Sequence, residues 1–85
     1  MVTAHWDTVI SSPGVDDNGS GVVAVLEVAR IVAIHHQDQD PRFPNSIVFA
    51  LFDKEEVGCK GSEAFIRDFL VPTVVQQSSS QILVP

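Results

Sequence analysis

SIVFALF, Ser46 to Phe52, is a continuous apolar run rich in branched and aromatic residues, and DKEE, Asp53 to Glu56, follows it at once. The run has the length of a strand. Its lack of polar alternation fits a strand covered on both faces, as in a parallel sheet. Upstream, Ser20 or Gly19 opens a helical stretch that runs to about His35, with Asn18 or Ser20 as its cap,. Val22, Val25, Leu26, Ala29, Ile31 and Val32 make that helix mostly apolar, and it is expected to be mostly buried,. Further upstream, Val2 to Ala4 reads as the end of a first strand leading into His5, and Thr8 to Asp17 as a loop,. Downstream, Asp53 to Lys60 is a loop, and GSEAFIRDFL is a second helix capped by Ser62,.

Strand, helix, strand, helix in this order implies a right-handed βαβ unit and a parallel sheet, an α/β arrangement. A sheet of two strands is marginal, since about three or more are needed for independent stability. The chain therefore reads as a slice of a larger α/β domain. HHQDQDPRFPN, His35 to Asn45, is the most polar stretch and a surface connection. After Val71-Pro72 the pattern fades: residues 71–85 read as a poorly defined tail, with Ile82 to Val84 as the start of a truncated strand.

Composition narrows the partners. In 85 residues, 45% are hydrophobic, which argues for packing rather than disorder, and 5 basic against 11 acidic residues leave a net charge of −6,. That sign disfavours nucleic acid and anionic membrane surfaces and suits cations. A single cysteine, Cys59, excludes an internal disulfide framework,. The start, MVTAHWD, lacks the basic and apolar regions of a signal peptide, and no run approaches eighteen consecutive apolar residues, so no membrane segment is expected,. The compartment stays open.

Ligands of parallel sheets bind beyond the carboxyl ends of the strands. His5 and Asp7 follow the first strand, Glu55 and Glu56 follow the second, and Asp16 and Asp17 lie in the loop climbing into the intervening helix. Connectivity alone thus delivers three polar clusters to one rim. Imidazole with carboxylates suits a divalent metal of the zinc class. Asp7, two residues past His5, could hold the other ring nitrogen and fix its tautomer. Of the adjacent pair Glu55 and Glu56, one can bind the metal while the other takes a proton from the attacking water.

Each feature also has a plainer account. A lone His-x-Asp is common, paired glutamates after a strand are usually solvated, and Asp16-Asp17 could simply favour a helix N-terminus. The spacing D-x-N-x-S-G-x5-E from Asp16 to Glu27 approximates a calcium loop,. However, Pro13 and Gly14 oppose the entering helix that such a loop requires, and Glu27 sits inside an apolar helical run. Cys59 has no histidine nearby, and no glycine-rich phosphate motif is present.

HWDT, PGVDDNGSGVVAVLEVAR and NSIVFALFDKEEVGCKGSEAFI together resemble the co-catalytic zinc aminopeptidases and their relatives, family twenty-eight of the metallopeptidases, over Val2 to Phe69. The family also holds glutamate carboxypeptidases and glutaminyl cyclases. The resemblance implies a three-layer α-β-α fold with a mostly parallel sheet, of which residues 1–70 would form the N-terminal half of the catalytic domain. It implies two zinc ions, with His5 ligating one, Asp7 orienting it, Asp16 bridging both, Asp17 supporting the turn, Glu56 ligating the other and Glu55 acting as general base. Two further family ligands, an aspartate and a more distant histidine, have no counterpart in this chain. The expectation is a partial zinc exopeptidase that acts on terminal peptide bonds of a peptide substrate when complete and is inactive alone. The alternative is a non-catalytic interaction fragment.

Overall fold

The computed structural model describes residues 1–36 and 44–82. Two short strands, β1 (Val2–His5) and β2 (Phe49–Phe52), pair in parallel with Val2 opposite Phe49 and His5 opposite Phe52. Between them lies helix α1 (Ser20–His35), which packs on both strands. The described chain is therefore an α/β unit with a parallel pair and a helical crossover, as the apolar run at 46–52 implied.

The entry to α1 is built by small polar residues. Gly14 adopts the left-handed conformation (φ 73°), and a Cβ there would meet the Thr8 side chain at 2.7 Å. Its carbonyl accepts the Gly19 N–H at 2.7 Å. Val15–Gly19 is an irregular turn in which Asp17 and Asn18 leave helical geometry. Asn18 Oδ1 then accepts the Gly21 N–H at 3.1 Å, satisfying one of the donors that the first turn of a helix leaves free,. Any Cβ on Gly21 would strike that same amide.

Helix α1 departs from expectation in its burial. Val22, Val25, Ala29 and Val32 form the covered stripe, and of these Val25 alone, at 5% exposure, is fully buried. Val23, Leu26, Ile31 and Ile34 are exposed. The cause is width: strands stand about 4.8 Å apart, so a pair covers one stripe of a helix some 10 Å across. The same shortage leaves Val48 and Leu51 exposed, so β2 is not covered on both faces. Val15–His35 is a 21-residue run containing an 18-residue window of mean hydropathy 1.3, long and apolar enough to cross a membrane by length and composition. Its contacts with both strands are those of a sheet-covering helix,.

Beyond β2 the chain turns into α2 (Lys60–Phe65). Ser62 does not cap it: Cys59, left-handed at φ 55°, holds the capping position, and the Ser62 hydroxyl donates to the Cys59 carbonyl at 3.0 Å. Phe65 packs against Phe52 of β2, ring centroids 5.4 Å apart, and against Phe69 at 5.2 Å. Instead of stopping before Pro72, the helix passes through a wide turn, Ile66–Leu70, into α3 (Val71–Ile82). The widened turn removes the close carbonyl that a proline ring strikes in a regular helix. The featureless tail expected after Val71 is thus helical as far as Ile82, and the strand expected at Ile82–Val84 does not begin there; residues 83–84 lie outside the described residues. So do residues 37–43 of the expected surface connection.

The radius of gyration is 16.5 Å, against about 12 Å for a compact domain of this length. The elements form a thin slab with one buried stripe, and stability should reside in that stripe. Val25→Ala is expected to lower unfolding stability by about 1.5–3 kcal/mol. Val23→Ala, on the exposed side, should change it by less than about 0.5 kcal/mol. Urea melts of the two variants distinguish the faces.

Candidate metal centre

Parallel pairing places the ends of both strands at one edge, and the Trp6 N–H donates to the Phe52 carbonyl at 3.0 Å, extending the register one step past His5. After β2 the chain folds back tightly. Gly58 and Cys59 N–H groups both donate to the Glu55 carbonyl at 2.9 Å, and the Lys60 N–H donates to the Lys54 carbonyl at 3.0 Å. That turn returns Glu55 and Glu56 to the rim where His5 stands.

His5 is 13% exposed, and its Nδ1 lies 3.2 Å from Asp7 Oδ1 and 3.1 Å from the Asp7 carbonyl. Asp7 thus holds one ring nitrogen, the arrangement that the two-residue spacing suggested. Nε2 turns to the opposite side, 3.2 Å from Asp17 Oδ1 and 3.6 Å from Glu55 Oε2. Ligand atoms of His5, Glu55 and Glu56 all lie within 4.8 Å of one another. The Asp7 carboxylate also accepts the Glu55 N–H (at Oδ1) and the Glu56 N–H (at Oδ2), each at 3.1 Å.

Asp16 is placed differently from expectation. Both Asp16 and Asp17 are exposed and outside the group of His5, Glu55 and Glu56, and the Asp16 carbonyl accepts the Ser20 hydroxyl at 2.7 Å. Its neighbour Asp17 supplies the carboxylate facing His5. Neighbouring residues in irregular backbone point in different directions, so a DD pair read as sequence does not say which acid faces the rim. The departure of Asp17 and Asn18 from helical geometry decides it.

The charges around the cluster shift its protonation. Burial opposes the charged form of His5, but the hydrogen bond to Asp7 and the Glu55 charge outweigh it and raise the imidazole above its ordinary value,. Burial likewise opposes the Asp7 carboxylate, yet the Glu56 and Glu55 N–H groups and His5 hold its carboxyl below the ordinary range. Glu56 moves the other way: burial first, then the Asp17 and Glu55 charges, push it up. Its Oε1 is buried and has no hydrogen-bond partner among the described residues. A buried acceptor without a donor, among converging carboxylates, fits a cation. The donor set of imidazole and carboxylate oxygen fits zinc among such cations.

The family model described as Peptidase family M28 matches residues 1–82. The chain belongs to that family. An aminopeptidase of Bacillus subtilis, YwaD, is 42% identical over 65 residues, 76% of this chain and 13% of that protein. A probable lipoprotein aminopeptidase of Mycobacterium tuberculosis, LpqL, is 41% identical over 67 residues, 79% of this chain and 12% of that protein. A leucine aminopeptidase of Fusarium vanettenii is 33% identical over 76 residues, 81% of this chain and 19% of that protein. The chain thus spans about one eighth of the first two relatives and about one fifth of the third. No solved structure matches it.

The raised Glu56 carboxyl makes a signed prediction. With its folded value above the ordinary 4.5, the folded chain loses stability as pH climbs from the ordinary value through the folded one, and the loss persists at neutral pH. In metal-free protein, Glu56→Gln should therefore raise the urea midpoint at pH 7 and leave it unchanged near pH 3, where the carboxyl is protonated in both states. Asp7 has the opposite sign: its contribution is present above 3.8 and is lost as pH falls through its lower folded value,. A midpoint for Glu56→Gln below that of the unmodified chain at pH 7 would contradict the crowding of Glu56 by burial and by the Asp17 and Glu55 charges.

Proposed function

We propose that this chain carries one part of the metal centre of a zinc exopeptidase of the aminopeptidase type. The observation that bears most weight is the convergence of His5, Glu55 and Glu56 ligand atoms within 4.8 Å, with Glu56 Oε1 left unpartnered among the described residues. In this reading His5 Nε2, Glu56 and Asp17 would hold the metal, with Asp17 in place of the Asp16 that the resemblance named. A zinc ion held there would supply Lewis acidity, polarising the scissile carbonyl and acidifying water. The mostly parallel sheet of a complete three-layer α-β-α domain would continue from the two strands of this unit.

The chain's own residues do the rest. Asp7 holds His5 Nδ1, so that Nε2 presents its lone pair to the rim,. Glu55, with Oε2 3.6 Å from that nitrogen, stands where a carboxylate can take a proton from the attacking water and return it to the leaving amine. The substrate is a peptide, bound by its terminal residue.

Three protein ligands shared between two ions leave each ion with two contacts when the bridging acid is counted twice, whereas a catalytic zinc ordinarily has three. The 85 residues alone should bind zinc weakly and turn over little. The exposed outer side of α1 favours a second role for the isolated chain, a non-catalytic piece that packs against a partner. Zinc titration with hydrolysis of an aminoacyl anilide, on a protein of the relatives' length carrying this segment, separates the two: zinc near stoichiometry with turnover supports the enzyme, and neither supports the packing role. In a protein of the relatives' length carrying this segment, Glu55→Gln should lower kcat by about 100-fold or more with zinc content unchanged. Undiminished turnover would remove Glu55 as the base.

A further inference from the structure

Asp7 belongs to the β1 side of the rim, yet two of its hydrogen bonds reach the β2 side. Its Oδ1 accepts the Glu55 N–H and its Oδ2 the Glu56 N–H, both at 3.1 Å, across 48 and 49 residues of chain. Two successive amides converging on the two oxygens of one carboxylate form a bidentate, charge-assisted clamp. The side chain is 18% exposed, so the clamp is sheltered from competing water.

Orienting His5 does not require this carboxylate. The Asp7 backbone carbonyl already lies 3.1 Å from His5 Nδ1, slightly nearer than the side-chain oxygen at 3.2 Å, and could fix the same tautomer. Placing another negative charge beside Asp17, Glu55 and Glu56 is unfavourable: it is among the charges that push the Glu56 carboxyl up. What the carboxylate alone supplies is a pair of acceptors for the loop after β2. The Glu55 Cα lies between the two donated N–H groups and the Glu56 Cα is bonded to the second, so fixing those groups constrains the direction in which both glutamate side chains leave the backbone.

We propose that the Asp7 carboxylate is a strut that positions the Glu55–Glu56 loop, independently of its bond to His5. Asp7 is then a positioning residue for Glu55 and Glu56 as well as for the imidazole. The two loops of the rim are held in mutual register before any ion arrives. The assignment rests on the metal-centre reading for its functional meaning, and on the clamp alone for its structural one.

The test uses the full chain, unmodified and as Asp7→Asn, His5→Ala and the double variant, with two readouts. Asparagine keeps the size of the side chain but offers a single acceptor oxygen. In metal-free protein, Asp7→Asn should speed amide exchange at Glu55 and Glu56 at least about tenfold, in both the unmodified and the His5→Ala backgrounds. Trp6, whose N–H donates to Phe52, should exchange as before. With zinc ion as the probe, Asp7→Asn should weaken binding about 10- to 100-fold, and should still weaken it when His5 is alanine. No effect of Asp7→Asn on amide exchange in the His5→Ala background would overturn the strut, because Asp7 would then act through the imidazole alone. Where Asp7→Asn does not fold, the unmodified and His5→Ala chains decide: protected Glu55 and Glu56 amides in both support the strut, and exchange at the rate of an open peptide overturns it. Protected amides in this chain, with no zinc taken up by a protein of the relatives' length carrying the segment, would sink the metal-centre reading and leave the strut in place.

Discussion

The parallel pairing of β1 with β2, His5 opposite Phe52, is the constraint from which the rest follows. Parallel strands end at the same edge, so residues more than forty positions apart in sequence leave the sheet side by side. An antiparallel pair would send His5 and Glu55 to opposite edges and dissolve the cluster. The crossover that parallel pairing demands is α1, and its entry must turn sharply enough to bring Asp17 back over the strand ends. Gly14, Asn18 and Gly21 make that turn with a left-handed backbone, a side-chain cap and an unhindered amide.

Around that edge the energetics oppose one another. Burial and neighbouring acids work against the charge on Glu56, while the amides of the β2 loop favour the charge on Asp7. The same rim thus contains one carboxylate stabilised as an anion and another held in an environment that penalises it. Titratable groups pushed in opposite directions at the mouth of a sheet are a mark of functional sites. A cation bound there would resolve the conflict by favouring the Glu56 carboxylate, whereas in the bare protein protonation does so.

Much of this was legible in the residues. The unbroken apolar run at 46–52 implied a parallel strand, the order of elements implied the common edge, and His5 with Asp7 two positions on implied the oriented imidazole. Membership of Peptidase family M28 agrees with the motifs that suggested it. Three things were not legible, each for a physical reason. Which of Asp16 and Asp17 faces His5 depends on local dihedrals that a polar turn leaves open. The helix running past Pro72 depends on a widened turn that propensity does not signal, since proline reads as a stop. The exposure of α1 depends on sheet width, and an apolar helix looks the same in sequence whether its outer side is covered or bare.

That bare outer side has a thermodynamic consequence. The heat-capacity increment of unfolding scales with the apolar area newly exposed to water, and a compact chain of 85 residues would show about 1.0–1.3 kcal/mol/K. With Val25 the fully buried apolar residue among those described, much of that area is already hydrated before the chain unfolds. The increment is correspondingly small, the stability curve flat, and the melting transition broad rather than abrupt. Closing a further layer over α1 would steepen all three.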